Sequence, residues 1–212
     1  MKPLLLLCLM ITTVVNAQMG AVVFDAKVVE EKVGDVDGDG QAERIKLVNT
    51  DDSTGSGCIR ELQIWKKNGR NWQLWISSKN AVLPSGGGGS YGDPFEYMEF
   101  EKGVLIIRQS GGNEWKWGQT DWYRLVKSEL RLIRYESFYG KPCGYWARFS
   151  YDIKKGRAHY KKVWDACVPS AQKPKMEEEY FKYRLHQTIT LQNRYSVSLS
   201  VKAPRLKQEI VF

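Results

Sequence analysis

Four carboxylates fall within nine residues in Asp35-Val36-Asp37-Gly38-Asp39-Gly40-Gln41-Ala42-Glu43. Carboxylates at positions 1, 3, 5 and 9 of a tight loop converge on one hard cation. A glycine at position 6 permits the sharp turn, and position 7 offers its backbone carbonyl. The spacing therefore predicts a calcium site with Asp35, Asp37, Asp39 and Glu43 as carboxylate ligands and Gln41 contributing its main-chain oxygen. Without a cation, carboxylates this crowded repel, each disfavouring its neighbours' ionised form. The plainer alternative is a solvated Asp/Gly turn.

The aromatic residues offer a second chemistry. Trp115 and Trp117 are two apart in an alternating segment and project to one face. Exposed aromatic rows stack on sugar rings, whereas buried ones are core or cross-strand packing. Asp93 lies in Gly92-Asp93-Pro94-Phe95, beside a glycine-rich stretch that is a candidate ligand loop. Paired with Glu114 it would suit glycosidase chemistry if the two carboxyls stood about 5–10 Å apart. Other catalytic signals are thin. Of the two histidines, His159 and His186, neither has metal or nucleophile spacing, and no phosphate-cradling loop or serine-hydrolase motif occurs.

These residues sit on a pattern that alternates nearly throughout, which predicts strands. Expected strands are 44–48, 59–66, 72–77, 95–100, 104–109, 114–125, 130–137, 145–153, 158–166, 180–191 and 195–201. Asn68-Gly69 marks a tight hairpin, as a primed turn with positive φ at its central residues. Only Lys173–Tyr183, with Glu177-Glu178-Glu179 followed by Lys182 and Arg184, is compatible with a short helix. The expected fold is all-β: a single antiparallel β-meander domain of about ten strands, as a sandwich, barrel or curled sheet, with a small propeller-like arrangement as the alternative. Pro84-Ser85-Gly86-Gly87-Gly88-Gly89-Ser90 resembles a linker by composition. It joins segments of one meander, so it is read as a close backbone crossing or a surface loop.

Met1-Lys2-Pro3, the apolar run Leu4–Val15 and Val15-Asn16-Ala17 form a signal peptide, with cleavage expected between Ala17 and Gln18. The domain then spans residues 18–212. The apolar run falls short of the ~20 residues that span a bilayer. Removing Lys2 from 32 basic residues against 24 acidic ones leaves a net charge of about +7. For an exported chain, plain solubility accounts for that charge; as a recognition signal it points to anionic envelope polymers, lipid head groups or an acidic protein rather than nucleic acid. Export also permits disulfides. Folding 145–153 onto 158–166 about Lys154-Lys155-Gly156-Arg157 brings position 143 opposite 167 or 168, so Cys143–Cys167 is the expected pair with Cys58 left over, a bond from Cys58 to either of the others being the alternative.

A loop like Asp35–Glu43 departs from an EF-hand at position 12, which is Lys46 and not a bidentate Glu, and a strand follows it. It resembles the strand-associated calcium loop of FG-GAP repeats. Gly34–Gly40, Gly92-Asp93-Pro94-Phe95, Gly111-Gly112-Asn113-Glu114-Trp115 and Trp122-Tyr123-Arg124-Leu125 occur in that order. This resembles a family of uncharacterised exported bacterial proteins common in Gram-negative species, and the resemblance implies a periplasmic or secreted location. The combined expectation is a non-catalytic exported binding or interaction protein, stabilised by Ca2+, whose partner is a protein or an anionic envelope polymer. A glycan-binding module using the aromatic face is the alternative, and a carboxylate hydrolase the third reading.

Overall fold

The computed structural model describes residues 27–165, 167 and 174–212. The signal-peptide segment and its cleavage site lie outside these residues. Among the described residues there is no helix, and therefore none long and apolar enough to cross a membrane. Thirteen strands occur among the described residues.

The first four strands are β1 (Val28–Gly34), β2 (Glu43–Thr54), β3 (Gly57–Asn68) and β4 (Asn71–Ser78). They pair in chain order as one antiparallel sheet. Seven more form a second antiparallel meander: β5 (Phe95–Glu101), β6 (Val104–Gly112), β7 (Lys116–Val126), β8 (Glu129–Gly140), β9 (Tyr145–Asp152), β10 (Arg157–Trp164) and β11 (Met176–Lys182). A ribbon of β12 (Ser200–Lys202) and β13 (Glu209–Val211) completes the chain. Both large sheets keep free edges, so neither closes into a barrel, and the seven strands run continuously rather than as four-stranded blades.

Alternation determines which side of each strand is dry. Ile45 and Leu47 on β2, Leu62 and Ile64 on β3, Met98 on β5, and Leu105 and Ile107 on β6 are all buried in one shared core. Tyr123, Tyr135, Phe149 and Tyr151 extend it across β7 to β9, and Ile189, Leu191, Leu199 and Val201 enter from the C-terminal segment.

Three expectations need correction. The segment expected as a helix is the edge strand β11, whose register sets Glu177 and Glu178 opposite Lys162 and Lys161. Opposite charges across a ladder stabilise the pairing, and buried Glu179 accepts the Arg205 and Leu206 amides at 2.9 Å each. Of the strands expected over 180–191 and 195–201, only 180–182 and 200–201 are strand, in β11 and β12; the rest is irregular chain, bends and turns, joined to β8 by the Arg131–Thr190 bridge. Their polar residues serve the core network described below. At the Asn-Gly hairpin, Asn68 pairs with Asn71, so Gly69 and Arg70 form the loop. Only Gly69 has positive φ (61°), which fits the primed turn with glycine first.

The glycine stretch is a close crossing. The Ser85 and Gly86 amides donate to the Cys58 and Ser56 carbonyls at 3.0 and 2.7 Å, and the Gly112 amide donates to Gly88 at 2.8 Å. A Cβ on Gly111 would stand 2.6 Å from the Gly88 carbonyl oxygen, so only glycine permits this approach.

Candidate metal centre

The acidic stretch is the loop of the β1–β2 hairpin, closed by the pair Gly34–Glu43. Gly38 and Gly40 take φ of +80° and +84°, the left-handed turns that the spacing requires. Asp35 organises the turn, accepting the Gly38 amide at 2.7 Å and the Gly40 amide at 2.9 Å. The Asp39 carboxylate accepts the Gln41 amide at 2.8 Å. One carboxylate oxygen each from Asp35, Asp37 and Asp39 lies within 4.8 Å of the others, a spacing that can hold a metal ion.

Glu43 is fully buried at the base of this cluster. Its Oε2 accepts the Val36 amide at 2.7 Å, while Oε1 is buried with no hydrogen-bond partner among the described residues. Burial pushes the Glu43 carboxyl above its ordinary range; the Val36 amide opposes that shift, and the charges of Asp37 and Asp39 add to it. Gln41 is exposed on the loop.

A residue absent from the expected set completes the arrangement. The register Arg44–Trp65 sets Lys66 level with Glu43 across β2 and β3. The Lys66 ammonium pairs with Asp37, stands 2.9 Å from Asp39 Oδ2 and 3.9 Å from Glu43 Oε1, and lies 5.0 Å from the Trp75 ring centre. Hydrogen bonds to Asp37 and then Asp39 hold its pKa above the usual lysine range. Hydrogen bonding to Lys66, with the Gln41 amide, holds the Asp39 carboxyl low. The signal was legible: Lys66 follows Leu62 and Ile64 on the inward face of its strand, where a lysine needs a carboxylate. One ammonium against four carboxylates leaves the centre acidic, and its donor set is all oxygen, as calcium or magnesium requires.

Asp93 is placed as a clamp. Both of its oxygens accept the guanidinium of Arg60, which is 2 % exposed, with the Nη1–Oδ1 contact at 2.6 Å. Asp93 also accepts the Phe95 amide at 2.9 Å. Burial raises its pKa, but Arg60 and the Phe95 amide outweigh burial and hold it below the ordinary carboxylate value. Glu114 is exposed and pairs with Lys141.

Trp115 and Trp117 are half-buried. Trp115 stacks on Tyr139 with ring centres 5.1 Å apart and lies 5.0 Å from Tyr145, which continues to Trp164 at 6.4 Å. Lys141, Lys162 and Lys175 lie over these rings. Trp117 pairs with Tyr139 across β7 and β8, and its ring edge reaches the Gly111 backbone. The disulfide Cys143–Cys167 forms as expected, with Cα atoms 4.6 Å apart just beyond the Tyr145–Trp164 end of the hairpin. Cys58 is free and half-buried.

A further network was invisible to local patterning. Arg194, in the C-terminal segment, meets Asp121 of β7, both 1 % exposed, with Nε–Oδ2 at 2.8 Å and Nη2–Oδ1 at 3.3 Å. Tyr123 donates to Asp121 at 3.0 Å, and the Tyr195 hydroxyl accepts from Gln109 at 2.6 Å and from Gln119. Burial opposes the Arg194 charge, but the Asp121 carboxylate outweighs it and holds the guanidinium above its ordinary pKa. Burial pushes the Tyr135 phenol beside it up to about 12.

Comparison of the chain with protein-family models, curated proteins and solved structures finds no match.

Proposed function

We propose that this chain is a non-catalytic, exported binding protein whose first sheet is stabilised by Ca2+ held between Asp35, Asp37, Asp39 and Glu43, with the Gln41 carbonyl completing the ligand set. The observation that carries the reading is Glu43 Oε1, buried without a hydrogen-bond partner among the described residues and with the Lys66 ammonium no nearer than 3.9 Å, beside three converging aspartates. A buried carboxylate oxygen without a hydrogen bond is costly, and a divalent cation satisfies it. Lys66 then acts as a competing monovalent cation that the metal displaces. The hairpin disulfide and the Leu4–Val15 leader pattern support export to a periplasmic or secreted location. The commitment of Asp93 to Arg60 supports a non-catalytic role for that loop.

The test is terbium luminescence excited through tryptophan, since Trp75 lies 5.0 Å from the Lys66 ammonium that the ion would replace. Sensitised emission that Ca2+ displaces and that Asp37→Asn removes is the expected result. Emission that survives Asp37→Asn, or none at all, contradicts the reading.

The aromatic run Trp115–Tyr139–Tyr145–Trp164 supports a second reading, a glycan-binding face. Quenching of tryptophan fluorescence by cell-wall oligosaccharides, lost in Trp115→Ala, is its expected signature.

A further inference from the structure

The outer face of the seven-stranded sheet, opposite the core, carries a cleft of about 800 Å3 across β6 to β10. Its walls follow from two adjacent cross-strand rows. One row runs Arg108–Thr120–Glu136–Ser150–His159, and the other runs Gly118–Phe138–Arg148–Lys161. The Phe138 ring lies over Gly118, where any Cβ would come within 2.2 Å of it, so the ring settles against the sheet. Trp146 stands beside it with ring centres 6.3 Å apart. The cleft thus has an aromatic floor.

Its charges are unevenly matched. Arg108 is held by Glu96 at 2.6 Å, Glu136 by Arg134, and His159 by Glu178 at 2.8 Å. Arg148 has no ion-pair or hydrogen-bond partner among the described residues, and it sits directly opposite Lys161, whose nearest carboxylate is Glu178 at 3.8 Å. Like charges directly opposed across a ladder destabilise the sheet. An anion between them removes that repulsion, and a planar guanidinium takes a carboxylate in two parallel hydrogen bonds. The Ser150 hydroxyl likewise has no partner among the described residues. A volume of this size falls within the ordinary range for a small-ligand site.

We propose that this cleft binds an acidic saccharide: the Arg148 guanidinium and the Lys161 ammonium take the carboxylate of a uronate ring, Trp146 and Phe138 pack on its C–H face, and Ser150 hydrogen-bonds a ring hydroxyl. This deepens the reading of the chain as a binding protein for an anionic envelope polymer, and it is independent of the cation site.

The experiment titrates the mature protein by calorimetry with oligogalacturonate, with a neutral glucose oligomer of the same length, with inorganic phosphate, and with phosphatidylglycerol vesicles. Oligogalacturonate binds, weakening as salt is raised, and the neutral oligomer does not. Arg148→Gln weakens binding about 10- to 100-fold, the loss of a charge-assisted bidentate contact. Arg148 is exposed and unpartnered, so this variant melts no lower than the parent without ligand, which separates lost binding from lost fold. Equal binding of the neutral oligomer overturns the proposal, as does phosphate or vesicle binding without oligogalacturonate binding. Oligogalacturonate binding that survives Arg148→Gln but is lost in Trp115→Ala also overturns it, moving the ligand to the aromatic strip while leaving the binding-protein reading intact. No binding of any anionic probe overturns the cleft and the anionic-polymer partner together.

Discussion

Replacing Arg194 by Met tests what joins the C-terminal segment to the seven-stranded sheet. Arg194 and Asp121 are each 1 % exposed, and the guanidinium also lies 5.2 and 5.0 Å from the Tyr135 and Tyr195 ring centres. Arg194→Met leaves the Asp121 carboxylate in the core with the Tyr123 hydroxyl as its one side-chain donor among the described residues. Breaking a buried pair from one side costs about 3–5 kcal/mol, because the remaining charge is uncompensated. That is a large fraction of the ~5–15 kcal/mol that holds a domain together. At roughly 2–4 °C per kcal/mol for a chain of this size, the melting point falls by about 6–20 °C. The double variant Arg194→Met/Asp121→Asn removes both charges and keeps an acceptor for Tyr123. It recovers most of the loss, because apolar or neutral replacements of buried pairs are often close to neutral. Urea unfolding of the four proteins, with m unchanged, gives the coupling energy, expected at about 2 kcal/mol or more. A single-variant cost below about 1 kcal/mol, or singles that add in the double, refutes the idea that this pair is a buried, interdependent clamp.

The other clamp, Arg60–Asp93, predicts a pH dependence. The folded Asp93 pKa lies below its unfolded value of about 3.9, so its stabilisation is present above about pH 4 and is lost as pH falls through the folded pKa. Asp93→Asn therefore costs about 1–3 kcal/mol at pH 7, a figure reduced for the half-exposure of Asp93. The gap between variant and parent melts narrows below pH 4, and a gap constant with pH contradicts the assignment. The Cys143–Cys167 bond closes a loop of sequence separation 24, so Cys143→Ser/Cys167→Ser lowers stability by about 3 kcal/mol on the loop-entropy model. Unchanged melting on reduction counts against it. Gly111→Ala drives a Cβ into the Gly88 backbone and releases the glycine loop. Hydrogen exchange at the Gly112 amide, bonded to Gly88, accelerates, and unchanged protection there contradicts the close crossing.

Alternation located most strands because each large sheet has one dry face, and the Cys143–Cys167 pair followed from counting back from a hairpin turn. Patterning failed where tertiary contacts govern. β1, with Glu30, Glu31 and Lys32 in sequence, shows no alternation; it is a strand because it pairs with β2 and because Glu30 accepts the Met98 amide of β5 at 3.2 Å. The Glu177–Glu179 run suits a helix in isolation and a strand beside the lysines of β10. The acidic loop was legible because its glycines and carboxylates are local. Arg60 and Lys66 stand out locally as cations on the inward face of β3, but which carboxylates they meet was reachable only through register. Arg194 is distant in sequence from Asp121, so no window contains both.

The measurement that bears most directly on the calcium-stabilised reading is the melting temperature of the mature protein in Ca2+ against EDTA, repeated with Asp37→Asn and Glu43→Gln. Calcium at about 100 times its dissociation constant stabilises the folded state by roughly 2.7 kcal/mol, a rise of about 5–10 °C. That rise is expected in the parent and is lost in both variants. Superimposable parent melts in calcium and EDTA contradict that reading and leave the acidic loop to its pairing with Lys66.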